Sequence, residues 1–252
     1  MFTAGVDLAA EPKGTAAAVI EWSAETAVIR ELHLGVSDDV IVDVAGRVNK
    51  MGIDCALGWP KEFIQFLTAQ QSLHAKKIDF DGGMDWRRRL AYRETDRHVR
   101  SVTGRWPLSV ATDRLGLTAM RCAGLLSKVS ASGITIDRTG AGLVAEVYPG
   151  AALRLWGFDT TGYRVSEHKR EELLKLICDE APWLDLGDHR IVMVKSCDAF
   201  DAVIAALATY AVETGRYVKP TGQQRKFAQT EGWIALPQGT LGELILGSSA
   251  LA

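Results

Sequence analysis

Four acidic residues sit inside apolar stretches, where a charge is expensive: Asp7 in "AGVDLAA", Asp54 in "GIDCALG", Glu146 in "LVAEVYPG" and Asp201 in "DAFDAVIAALATYA". A carboxylate taken out of water needs a partner, a proton or a metal. Asp198 stands three residues before Asp201, so on a helix the two share a face. Asp198 alone could complement a helix N-terminus behind a Ser196 cap. Asp201 lies too deep in the alanine-rich run for that role. A single acid at a strand end is most often a turn cap or a salt-bridge partner, but four beside small or apolar neighbours favour a shared site. Converging carboxylates repel one another unless they are protonated or bridged by divalent cations. Hard oxygen donors suit Mg²⁺ or Mn²⁺. Such ions activate water and stabilise the leaving oxygen of a phosphodiester.

A second feature is basic. The stretch "DWRRRLAYRETDRHVR" holds six arginines with Trp86 and Tyr92. Arginine forks match phosphates and aromatic rings stack on bases. Arg87, Arg88 and Arg97 are therefore expected to hold a nucleic-acid backbone, with His98 as a further candidate. The alternative is a solvated face with internal ion pairs, for which Glu94 and Asp96 are ready partners. Other motifs fail. "DFDGGMD" opens like a calcium loop but has Met84 at its sixth position and Leu90 at its twelfth. "TGAGLV" leads into a strand-like run and reads as a turn. The five histidines form no metal spacing, and Glu231 in "EGWIALP" reads as a strand-start acid.

These residues need elements to position them. "FTAGVDL", "GTAAAVIEW" and "TAVIRELHLG" read as three hairpin-linked strands. A helix is expected over 38–50. The short apolar run "MGIDCALGWP" has the composition of a buried parallel strand. Helices follow at 60–71 and 113–128, a strand at 142–148, and helices over "EHKREELLKLICDEA" and from Ser196 onward. Residues 73–112 are polar and basic, and are expected to be an irregular insertion or lid. "EGWIALP" suggests a last short strand. Strands followed by alternating helices and strands make a mixed α/β sheet. If its first, fourth and fifth strands are neighbours, the acids converge at one end.

Composition bounds the rest. The chain has 252 residues, 47% hydrophobic, which suits a single domain over 1–252. A net charge of -2 gives no global pull on polyanions, so nucleic-acid binding would need a local patch. Cys55, Cys122, Cys178 and Cys197 are widely spaced with apolar neighbours, as reduced core residues are. No basic leader or membrane-length apolar run is visible, so a soluble cytoplasmic protein is expected.

"GVDLA", "DCALGWP", "YRETDR", "AEVYPGAAL", "DAFDAVIAAL" and "EGWIALP" occur in this order. Together they resemble a family of bacterial and archaeal proteins described as predicted nucleases of the ribonuclease H-like fold. The resemblance implies an α/β fold in which three antiparallel strands lead into parallel ones, flanked by helices. It puts Asp7 on the first strand, Asp54 on the fourth and Asp201 on the last long helix, as ligands of Mg²⁺ or Mn²⁺. Asp198 and Glu146 become accessory catalytic groups, and "YRETD" draws Arg93, Thr95 and Asp96 toward the substrate. Cys55-Ala56 after Asp54 departs from the expected pair of an alanine and another apolar residue. The expected activity is metal-dependent hydrolysis of DNA or RNA. The rival is a non-catalytic protein that binds a metal, nucleotide or partner through the same acids.

Overall fold

Small and β-branched residues in the first third of the chain form an antiparallel trio, β1 (Phe2–Asp7), β2 (Ala16–Trp22) and β3 (Ala27–Leu34). The structure, a computed structural model, describes residues 1–70 and 82–246. After α1 (Asp38–Ala45), β4 (Lys50–Asp54) enters beside β1 and runs parallel to it. The helices α2 (Lys61–Gln70), α3 (Gly83–Ala91), α4 (Glu94–Thr103) and α5 (Gly116–Ala131) precede β5 (Val144–Glu146), which is parallel to β4. Then come α6 (Pro149–Leu155), α7 (Glu167–Glu180), the edge strand β6 (Leu184–Asp185) and α8 (Arg190–Lys195). The chain continues through α9 (Cys197–Glu213), α10 (Gly222–Glu231) and α11 (Glu243–Leu246). The sheet order is β5-β4-β1-β2-β3-β6, a mixed six-stranded sheet flanked by helices.

Alternation along the strands assigns each side chain to one of two cores. Ala4, Val6, Met51 and Ile53 point into a core shared with α1 and α5. Thr3, Gly5 and Asp7, and likewise Gly52 and Asp54, fall on the opposite face, under α9. That face explains the alanines. A Cβ on Gly5 would collide with the backbone of Ala202 and Ala206, and one on Gly52 with Thr209 Oγ1. The glycines on the sheet and the small residues on α9 let the helix lie directly on β1 and β4. Thr3 Oγ1 donates to Ala206 O at 3.1 Å and accepts from Trp22 Nε1 at 2.8 Å, which fixes the helix along its axis. Every residue of α9 from Ala199 to Val212 is buried.

The structure revises several expected elements. Residues 73–112 are irregular only in part where described: they carry α3 and α4, and 104–112 form no helix or strand. His74, and the start of "DFDGGMD", lie outside the described residues. The first helix ends at Ala45, and Lys50 already belongs to β4. "EGWIALP" is not a strand. Glu231 closes α10, and Ile234 and Pro237 make isolated bridges to Glu146 and Tyr217. The four cysteines are free; Cys55 and Cys122 are buried, Cys178 and Cys197 partly so. Among the described residues no helix is long and apolar enough to cross a membrane.

Candidate acidic site at the strand ends

Asp7 and Asp54 are the last residues of β1 and β4 and lie opposite each other in register. Both face α9, one turn into which Asp201 descends. Ser196 caps that helix, its hydroxyl accepting from Ala199 N at 3.2 Å, and Asp198 occupies the first turn as expected. The carboxylates sense one another. Burial, then the charges of Asp54, Asp201 and Asp198, push Asp7 up to about 9. Burial and Asp201 push Asp54 up to about 8. Burial raises Asp201 less, to about 6, because Arg164 and hydrogen bonds from Tyr163 and Cys197 favour its charged form. Burial also raises Asp198, against the pull of Arg170 and Arg164. Asp7 and Asp54 remain partly open to solvent, whereas Asp201 is buried.

Asp201 has partners the sequence did not reveal. Tyr163 donates its hydroxyl to Oδ1 at 3.0 Å, and Arg164 Nη2 stands 3.2 Å from Oδ2. Cys197 Sγ approaches Oδ2 at 3.7 Å. Tyr163 and Arg164 come from the polar loop before α7, where neither periodicity nor composition marked them.

The Glu146 side chain lies apart from the cluster, although its charge adds to the rise at Asp54. Its neighbour Ala145 points to the α9 side, so Glu146 points with Val144 to the other face. There Arg93 grips it with two hydrogen bonds of 2.8 Å, and Leu57 N donates to Oε2 at 3.1 Å. The same guanidinium holds Asp96 and donates to Glu231 O. Arg93, Asp96 and Thr95 are all buried, and Thr95 Oγ1 accepts from Ile234 N. These three were expected to face a substrate. Instead they form a clip that ties α4 to β5 and to the segment after α10. Glu231 is a cap rather than a strand-start acid: its two oxygens accept from Lys61 N and Glu94 N, each at 2.8 Å, at the starts of α2 and α4.

The exposed arginines of the basic stretch lie on α3 and α4. Arg88 pairs with Asp85 and Arg89 with Glu62. Arg87 Nη1 lies 3.8 Å from Met84 Sδ. Arg97 is half-buried, pairing with Glu94 and donating to Tyr92 O. His98 stacks on Trp233 at 5.0 Å, and burial lowers its pKa.

In kind, Asp7, Asp54 and Asp201 fit a hard divalent cation. They are oxygen donors from adjoining elements whose common ionisation is costly without a positive charge. In position, no three His, Cys, Asp or Glu side chains among the described residues form a ready metal-holding group, and Asp201 is engaged by Tyr163 and Arg164.

A family model described as a protein of unknown function (DUF429) matches residues 5–225. The chain belongs to that family. The DUF429 match takes in all four clustered acids, from Asp7 to Asp201, together with Arg93, Glu146 and Arg164. Comparisons with curated proteins and with solved structures gave no match.

Proposed function

We propose that this chain is a divalent-metal-dependent nuclease with a ribonuclease H-like fold, hydrolysing phosphodiesters of DNA or RNA. The observation that carries the reading is the convergence of Asp7 and Asp54, in register on neighbouring parallel strands, with Asp201 from the helix laid over them. An antiparallel trio leading into parallel strands, with acids on the first strand, the fourth and the last long helix, agrees with what the sequence resemblance implied.

In this reading Asp7, Asp54 and Asp201 hold Mg²⁺ or Mn²⁺, and Asp198 stands beside them as an accessory acid. The ion, when bound, supplies an activated water and stabilises the leaving oxygen. The protein's own part is to keep three carboxylates close despite their repulsion, and the tight seat of α9 on Gly5 and Gly52 does this. Arg87 and Arg88 on α3, with Arg97 on α4, are the candidate contacts to the nucleic-acid backbone.

The engagement of Asp201 favours a second reading, in which the acidic pocket binds a metal, nucleotide or partner without turnover. A cleavage screen over single-stranded, duplex and branched DNA and RNA with Mg²⁺, Mn²⁺ or EDTA separates the two. The nuclease reading expects cleavage that EDTA and Asp7→Asn both abolish. Metal-dependent stabilisation with no cleavage of any substrate leaves the binding reading.

A further inference from the structure

The loop joining α6 to α7, residues 156–166, delivers the side chains that meet Asp201. Its base is pinned. Arg170 is buried and donates to Tyr163 O at 2.7 Å, Val194 O at 2.8 Å and Lys195 O at 3.3 Å. Tyr163 is buried as well, its ring 5.6 Å from Phe200.

Arg164, the next residue, is built differently. Its side chain is 54% exposed, and the following Val165 is 90% exposed, so this part of the loop borders open solvent. The guanidinium reaches Asp201 through Nη2 at 3.2 Å and the Tyr163 hydroxyl through Nε at 3.1 Å. Both its contacts lie on one side of a fork that has five donors. Arginines that serve as structural staples in this protein look otherwise. Arg93 and Arg170 are nearly inaccessible, and each spreads its fork over several acceptors. Arg164 instead offers donors to solvent at the rim of a carboxylate cluster. A planar guanidinium fits a phosphate as well as it fits a carboxylate.

We propose that Arg164 is the phosphate-contacting residue of this site, exchanging its hold on Asp201 for a non-bridging oxygen of a nucleic-acid phosphodiester. The inference rests on the nuclease reading above and names the group that seats its substrate. One charge-assisted N–H···O contact replaces another and no proton moves. The exchange also takes the cation off Asp201 Oδ2, leaving the acid to Tyr163 and Cys197, so the group that guards the acid is the one that receives the substrate.

The test compares wild type, Arg164→Gln and Arg164→Lys, binding fluorescent DNA and RNA oligonucleotides by anisotropy over a salt series in EDTA. Melting curves with and without Mn²⁺ are read on the same proteins in chelator-free buffer. Arg164→Gln should bind about tenfold or more weakly at low salt, with a slope of log affinity against log salt shallower by about one phosphate contact. Arg164→Lys should retain the slope. The Mn²⁺-induced rise in melting temperature should be as large in Arg164→Gln as in wild type, or larger, because Asp201 has lost its competitor. An unchanged salt slope in Arg164→Gln overturns the assignment, as does a wild type that binds neither DNA nor RNA. A wild type whose slope responds to Arg164→Gln but whose melting ignores Mn²⁺ retains the phosphate contact and sinks the metal reading instead.

Discussion

Asp7 and Asp54 end two neighbouring parallel strands at the same level, facing the same helix, so neither can ionise without meeting the other's charge. Asp201 is unlike them. It has an arginine and a tyrosine of its own.

That difference gives opposite outcomes for two similar substitutions. Asp7→Asn replaces a carboxyl whose ionisation the folded chain opposes, holding it protonated up to about 9, and should leave the protein as stable as wild type in EDTA, or more so. Asp201→Asn loses the ion pair with Arg164 and should cost about 1.5–3 kcal/mol, the usual range for hydrogen bonds to a charged group. Melting curves at neutral pH in EDTA check both. A matched loss in the two variants would mean that Asp7 is held by a structural partner.

The pH dependence of stability follows from the raised carboxyls. Asp7 and Asp54 titrate in the folded chain at about 9 and about 8, well above their unfolded value of 3.8. Between those limits the folded state binds more protons than the unfolded state, so stability falls as pH rises. In EDTA the melting temperature should therefore decline from mildly acidic to alkaline pH, and Asp7→Asn should flatten the decline. Metal binding must expel the same protons. Mn²⁺ affinity measured by calorimetry should increase over the same window, with proton release that depends on the buffer's ionisation enthalpy.

The seat of α9 is tested at Gly5. An added methyl there meets helix backbone that has no room to retreat. Gly5→Ala should destabilise by about 1–3 kcal/mol or more, as overpacked cores do. It should also lift Asp201 away from Asp7 and so weaken the metal-induced rise in melting temperature. A Gly5→Ala protein with wild-type melting would mean that the helix does not rest on β1 as described.

Arg93→Ala should be the most damaging of these changes. It strands Glu146 and Asp96, both buried, without their cation. Breaking a buried pair by removing one partner costs about 3–5 kcal/mol. Chemical denaturation gives the value directly, and a loss below about 1 kcal/mol would show that the clip is replaced by solvent or by other groups.

Much of this arrangement was legible in the residues. Asp7, Asp54 and Asp201 stand out because a carboxylate among valines, isoleucines and alanines demands a reason, and the structure brings them together. Glu146 met the same criterion, yet alternation turns it to the far side of β5. The run "GLVAEVY" is apolar on both faces, so its parity could not be read before its register with β4 was known. Arg93 was visible as a charge, but its burial was not, because two of the three groups it ties, Glu146 and the Glu231 carbonyl, are far from it in sequence. Tyr163 and Arg164 left no trace: a polar loop has no period, and their importance comes from where Asp201 lies. The arginine-rich stretch looked irregular because its apolar positions are few. Its helix α4 does bury one face, but that face is Thr95, Asp96 and Val99, two of the three polar, and it is held further by contacts at its ends.

Glu231 illustrates such an end contact, and it has a kinetic consequence. A single carboxylate receives the Lys61 and Glu94 amides, one on each oxygen, so the first turns of α2 and α4 share one lock. An opening that swings Glu231 away releases both amides together, whatever the distance between them along the chain. Their hydrogen-exchange rates should therefore be governed by one opening event, making α2 and the start of α4 a single unit of local unfolding. Through Arg93, which is bonded to the carbonyl of the same glutamate, that unit extends to the end of β5, on the reverse of the sheet from the clustered acids.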